Sequence, residues 1–224
     1  MPNPIVLTLY KGPDCFRLRI WKGIGMTMKN NVLKMLLVLA GLLLVTGAAQ
    51  AAQAGRDGAD PRILIAYFSQ SGNTRLIAND IQKLVGGDLF EIKTVRQYAP
   101  DFDTNVDQAR EDLRNNARPK LAARVSNMAE YDVVFVGFPN WVGTMPMPVF
   151  SFLEQHDFKG KTIVPFCTHG TSGISNTVSD LRKLGLGAEV RQHIGIYRND
   201  VPTAQKAVAD WLGGLGYINQ PTRP

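Results

Sequence analysis

Two cysteines in 224 residues, Cys15 and Cys167, are too few for a disulfide scaffold or a thiolate metal cluster. No long charged run occurs, and 45% of the residues are hydrophobic, which excludes disorder as the main theme. An excess of one charge is also missing from most of the chain. The total of 25 Lys and Arg against 19 Asp and Glu gives a formal +6. Residues 1–51 hold six of those bases (Lys11, Arg17, Arg19, Lys22, Lys29, Lys34) and one acid, Asp14, so residues 52–224 carry 19 against 18. The basicity belongs to the front of the chain, and steering toward nucleic acid by net charge loses its support.

What is present at the front has three parts. Met26 to Lys34 is a basic end, Met35 to Gly47 is apolar, and small residues follow from Ala48 to Ala54. This is the design of a secretory signal over residues 26–54. Ala49-Gln50-Ala51 and Ala52-Gln53-Ala54 both fit a cleavage site, so the mature chain is expected to begin at Ala52 or Gly55. An uncleaved anchor is the rival, but a spanning helix needs about 20 apolar residues and the strongly apolar part here is about half that. No twin arginine precedes the core and no cysteine follows it, which favours general export, without a lipid anchor, to a periplasmic or secreted location. Residues 1–25 fit neither a signal nor a domain and are read as an extension upstream of a true start at Met26 or Met28.

After a polar linker, residues 55–60, strands and helices alternate over residues 61–220. Arg62 to Phe68, Tyr131 to Gly137 and Lys161 to Cys167 are apolar on both faces, as buried parallel strands require. Asp88 to Lys93 is a shorter strand, and 188–196 a weak fifth. Thr74 to Val85 predicts a helix with Leu76, Ile77, Ile81, Leu84 and Val85 on one stripe, stopped by Gly86-Gly87. Asp103 to Asn116 predicts another, with Val106, Ala109 and Leu113 inward. Pro148–Gln155 and Ser175–Leu184 read as helices, and Thr203 as the cap of a last one carrying Val208, Trp211, Leu212 and Leu215. The implied architecture is α/β, a three-layer sheet with helices on both faces. Ligands in such sheets bind beyond the carboxyl ends of the strands, where strand order reverses.

Three loops at those ends carry chemistry. Ser69-Gln70-Ser71-Gly72-Asn73-Thr74 offers hydroxyls, an amide, and a glycine that admits close backbone approach, all ahead of a helix start whose free N–H groups favour an anion. That suits a phosphate dianion, or alternatively a plain polar turn. It lacks the Gly-Lys-Ser/Thr of a triphosphate loop and the Gly-x-Gly-x-x-Gly of a dinucleotide fingerprint. Phe138 to Pro146 places Trp141 among Pro139, Asn140 and Gly143, where a large aromatic can lie against a flat heterocycle or plug a core edge. Thr168-His169-Gly170-Thr171-Ser172-Gly173 supplies small residues whose amides can reach ring oxygens and nitrogens.

The ordered set of these segments, spanning residues 62–213, resembles the flavodoxin-like family, and the later ones look like its bacterial branch with a Thr-His-Gly loop. The resemblance implies non-covalent FMN on a five-stranded parallel sheet ordered 2-1-3-4-5. It implies that Ser69, Ser71, Gly72, Asn73 and Thr74 hold the phosphate. Pro139, Asn140, Trp141 and Gly143 would then line one side of the isoalloxazine, with Thr168, His169, Gly170 and Gly173 on the other. Relatives often carry an aromatic where this chain has Val142 and an apolar residue where it has Asn140. Tyr98, after the second strand, either covers the open face of the ring or packs on the neighbouring helix. Arg75 is expected to point to solvent, since a cation in a first helical turn opposes the dipole.

FMN supplies hydride or single-electron chemistry, so no catalytic triad is expected. Three functions compete. The first is an exported NAD(P)H:quinone oxidoreductase, passing electrons from a reduced nicotinamide or other donor to a quinone or small acceptor. The second is an electron carrier between protein partners, for which a net charge of +1 gives little steering field. The third is a binding module that kept the fold and lost the cofactor, against which the phosphate loop argues. Nicotinamides are scarce outside the cytoplasm, so a quinol or a membrane partner is a further class of donor.

Overall fold

A computed structural model describes residues 60–218; the expected leader and its cleavage sites lie outside them. Five parallel strands run in the order β2-β1-β3-β4-β5, and a sixth pairs with the far part of β4. These are β1 (Ile63–Tyr67), β2 (Asp88–Glu91), β3 (Val133–Pro139), β4 (Thr162–His169), β5 (Glu189–Val190) and β6 (Ile194–Tyr197). The helices are α1 (Asn73–Val85), α2 (Phe102–Arg114), α3 (Met147–Glu154), α4 (Thr177–Lys183) and α5 (Gln205–Gly214). Among the described residues no helix is long and apolar enough to cross a membrane.

The period of two in the strands sorts the core into two layers. Leu64, Ala66, Val134, Val136 and Phe138 face Val149, Phe152 and Leu153 of α3 and Leu181 of α4. Ile65, Tyr67, Phe135, Val164 and Phe166 face Ile77, Ala78 and Ile81 of α1 and Val208 and Leu212 of α5. Each fully buried aliphatic side chain contributes about 1.5–3 kcal/mol, so the sheet is held from both sides. Because the chain leaves β1 for the α1 layer and leaves β3 for the α3 layer, the loops after these neighbouring strands diverge, and a crevice opens between them.

The expected fifth strand is two pieces, and Pro165 is the reason. Ile163 pairs with Val190 and Phe166 with Ile194, so one extra residue lies on the partner side. The Arg191 amide reaches the Ile163 carbonyl (2.9 Å), and the next rung would come from residue 165, which as proline has no N–H. The ladder stops there and restarts one residue out of step as β6.

Three helix expectations need correction. On α1 the buried positions are Thr74, Ile77, Ala78, Asp80 and Ile81, while Leu76 and Leu84 are 50% and 40% exposed. Ile77 and Ile81 are inward as expected and Val85 packs at the core's margin, but the stripe runs along 74-77-78-81, which leaves Leu76 and Leu84 off it. On α2 the inward residues besides Ala109 are Asn105 and Asp112; Val106 is half-buried and Leu113 exposed. Hydrogen bonds to the preceding loop orient this helix: Asn105 Nδ2 donates to the Ala99 carbonyl (3.4 Å), and Gln108 Oε1 accepts from the Ala99 amide (2.9 Å). Thr203 lies in a 3-10 turn, Val201–Thr203, and its hydroxyl donates back to the Asp200 carbonyl (3.2 Å), so it does not cap α5.

Candidate functional site

The site is assembled where the loops after β1, β3 and β4 meet. Gly72 stands at the start of α1 with φ of 91°, a left-handed conformation that an L side chain resists. The turn lets the first amides of α1 point outward. Among the described residues nothing accepts from the amides of Gly72, Asn73 and Thr74, and the side chains of Ser71 and Asn73 have no partner. Ser69 Oγ accepts from the Arg75 amide (3.3 Å). Thr74 is buried, its hydroxyl 2.9 Å from that of Thr168, which ties this loop to the end of β4. Arg75 is half-exposed and ion-paired with Glu91 of β2, so its charge is drawn sideways rather than left in open solvent.

The loop after β3 closes as a tight hairpin. Trp141 and Thr144 exchange backbone hydrogen bonds (2.9 and 3.0 Å) around Val142 and Gly143, with φ of 52° and 84°. Two positive φ values make a type I′ turn, which favours Asn-Gly. Val142, β-branched and 45% exposed, is out of place there. Val142→Asn is expected to stabilise the protein by about 1 kcal/mol, read as a rise of about 2–4 °C in the unfolding midpoint. An unchanged midpoint would refute the strain.

The Asn140 side chain fastens this hairpin to the next loop. Its Oδ1 accepts from the Gly143 amide (3.0 Å), and its Nδ2 donates to the Gly173 carbonyl (2.6 Å) and the Ser175 hydroxyl (3.1 Å). The Asn140 backbone amide adds a bond to the Thr168 carbonyl (2.8 Å). Pro139 closes β3 half-buried. His169 Nδ1 donates to the Gly170 carbonyl (2.7 Å), which fixes the tautomer and leaves Nε2 as an acceptor. An added Cβ at Gly72, Gly143, Gly170 or Gly173 would meet nothing within 4 Å, so all four glycines border open space.

Behind the hairpin stand three aromatics. Phe68, Tyr98 and the half-buried Trp141 meet edge-to-face, with centroids 5.0–6.0 Å apart. Tyr98 packs on α2: its hydroxyl donates to Asp112 (2.6 Å), and burial, then Asp112, pushes its pKa up. Of the two placements left open by the sequence, this is the second. Cys167, on the same side of β4, is buried and free. Burial raises its thiol from 9.0 to about 12. A raised acid stabilises the fold fully below its unfolded pKa and loses that contribution as pH rises through the folded one. Cys167→Ser is therefore expected to remove a loss of about 4 kcal/mol between pH 9 and pH 12, read by urea unfolding across that range. Parallel alkaline slopes in the two proteins would refute this.

All thirteen expected site residues lie on these three loops or on the ends of the strands and helix that flank them. Sequence reasoning missed Gln70, whose Nε2 ties the first loop to the Ala99 carbonyl (3.0 Å), and Asp112. It also missed Arg198, exposed and held beside the site by its amide on the His169 carbonyl (2.8 Å). The strand pattern around 194–197 was the one signal for the last.

The family model described as flavodoxin matches residues 62–214. The chain belongs to the flavodoxin family. It is 32% identical to a protein from Bacteroides eggerthii described as a flavoprotein, over 70% of this chain and 99% of that one, with a TM-score of 0.62. A Bacteroides uniformis protein described likewise is 29% identical over 69% and 99%, at 0.60. A flavoprotein from Lactobacillus acidophilus, solved in complex with FMN, is 22% identical over 64% and 98%, at 0.54. No curated protein matches the sequence. The flavodoxin order 2-1-3-4-5 is the one found, with β6 added beside β4.

Proposed function

We propose that this flavodoxin-family protein binds FMN non-covalently and works as an oxidoreductase, moving electrons from a reduced nicotinamide or other donor to a quinone or small acceptor. The observation that carries the reading is the set of unpartnered donors at the start of α1, the amides of Gly72, Asn73 and Thr74 with the side chains of Ser71 and Asn73, opposite open space beside Gly170 and Gly173. An anion of phosphate size satisfies those donors and the helix dipole together. The FMN complex of the Lactobacillus acidophilus relative supports the same ligand.

Bound there, FMN supplies hydride and single-electron transfer. The chain's part is to grip and orient it. Ser71, Asn73 and the first amides of α1 hold the phosphate, Ser69 and Thr74 shape that turn, and Trp141 presents an aromatic wall. The segment of Thr168, His169, Gly170 and Gly173, its carbonyls already engaged within the protein, would border the ring, and Asn140 keeps it in register with Pro139 and Gly143. His169 Nε2 offers a hydrogen-bond acceptor there.

The test is an absorption spectrum of the purified protein before and after FMN. A flavin band that shifts on binding and bleaches with a reduced nicotinamide is expected. Bleaching only by a chemical reductant would make the protein an electron carrier between partners. No binding at high FMN would refute the reading. Export through residues 26–54 belongs to the same proposal, and a mature chain beginning at Ala52 or Gly55 by mass is its check.

A further inference from the structure

We infer that Asp112 is the positioning residue of the flavin-facing aromatic wall, setting Trp141 through Tyr98; the inference rests on the FMN reading above. Asp112 is 7% exposed, on the inward face of α2, where an apolar residue is the ordinary occupant. Both of its oxygens are engaged. Arg96 Nη2 donates to each at 2.9 Å, and the Tyr98 hydroxyl donates to Oδ2 at 2.6 Å. The Arg96 guanidinium also lies over the Tyr98 ring, 5.6 Å from its centroid. Burying a carboxylate is costly unless it is paired and hydrogen-bonded, so the geometry of these three side chains is tightly coupled. Moving one strands another.

The consequence runs outward. Tyr98 is itself buried, and its ring edge meets Trp141 at 5.0 Å and 79°. Phe68, on the residue after β1, closes the triangle at 5.2 Å from Trp141 and 6.0 Å from Tyr98. The hairpin bonds fix the Trp141 backbone, and the side-chain torsions that aim the indole are left to what it packs against. Its orientation is set from behind, and the last rigid point behind it is Asp112 on α2. The cavity left among Tyr98, Asp112, Trp141 and Thr144 is about 10 Å³, the room of a single water, so the inner side of the indole is packed against this group. Thr144, in turn, donates to Asp180 (2.6 Å), which anchors the hairpin's other end to α4.

The experiment compares Asp112→Ala, Asp112→Asn and Val208→Ala in the full chain. Val208 is fully buried in the opposite core layer, so its variant loses stability without touching the wall. Trp141 aromatic proton shifts in the FMN-free protein are read by NMR, since edge-to-face neighbours displace them. FMN affinity and residual flavin fluorescence are read by titration. Asp112→Ala is expected to move the Trp141 shifts toward random-coil values. It is also expected to weaken FMN about tenfold, the scale of a small misplacement of a positioning group, and to raise bound-flavin fluorescence. Asp112→Asn keeps an acceptor for Tyr98 and should rescue both readouts to within about twofold. Val208→Ala should move neither at equal loss of stability. Unmoved Trp141 shifts in Asp112→Ala would overturn the inference whatever FMN does. A wild type that binds no FMN, while the shifts move as stated, would refute the FMN reading and leave the Asp112–Tyr98–Trp141 coupling standing.

Discussion

Gly137→Ala is expected to destabilise the protein by about 3 kcal/mol or more, at the upper end of what overpacking a core costs. An added Cβ would lie 2.1, 2.3 and 2.7 Å from three ring atoms of Phe166, well inside van der Waals contact. The two residues are direct partners in the β3–β4 ladder. Neither has room to yield. Phe166 is fully buried in the layer under α1 and α5, and Gly137 is held on its other side by the bond from the Phe68 amide to its carbonyl (2.9 Å). Relief requires prising β3 from β4, and these strands carry two of the three site loops at their carboxyl ends. FMN affinity should fall along with stability. Phe166→Ala costs about 3–5 kcal/mol alone through its cavity, but in the double variant the new methyl enters that space. A double-mutant cycle by urea unfolding should give a favourable coupling of about 2 kcal/mol. A stable Gly137→Ala single variant, or strict additivity, would show that the sheet breathes more freely than its registers imply.

The sheet was the legible part of this molecule. Buried parallel strands advertise themselves as apolar runs, and the runs at 62–68, 131–137 and 161–167 became β1, β3 and β4 with shifts of a residue or two. Where apolar pattern stopped deciding, the reading failed. Asn105 and Asp112 face inward on α2 because the loop ahead of the helix offers them partners, and a hydrophobicity pattern does not register polar groups that satisfy one another. The split fifth strand turned on one missing N–H at Pro165, a residue already visible inside a buried run.

The site loops were legible as places, because topology fixes where carboxyl ends of strands gather. Their internal wiring was not. Asn140, an oddity on sequence grounds, ties two loops together, and three side-chain hydrogen bonds explain its polarity. Thr74, expected among the phosphate residues, also pairs its hydroxyl with that of Thr168. A side chain's partner 94 residues away leaves no trace in local sequence.

Asn73→Asp is expected to separate the two things that the start of α1 does. A carboxylate in the first turn interacts favourably with the helix dipole, so the FMN-free protein should gain about 0.3–1 kcal/mol. The same carboxylate would stand among the donors assigned to the phosphate. Opposed to a dianion at about 5 Å and an effective dielectric of about 20, it costs at least about 3 kcal/mol after allowance for solvent, a hundredfold or more in Kd. Arg75 offers no rescue while Glu91 of β2 holds it. Asn73→Ala separates charge from hydrogen bonding: losing one bond to a charged acceptor costs about 1.5–3 kcal/mol and leaves little salt dependence. The Asp variant should instead recover part of its affinity at high ionic strength, because about 1 M salt shortens the screening length to about 3 Å. Fluorescence titrations of both variants at low and high salt, beside thermal unfolding without FMN, read every term. Equal, salt-independent losses would mean that the phosphate is held elsewhere. A stabilised FMN-free protein with hundredfold weaker, salt-sensitive binding would place the dianion on the first turn of α1.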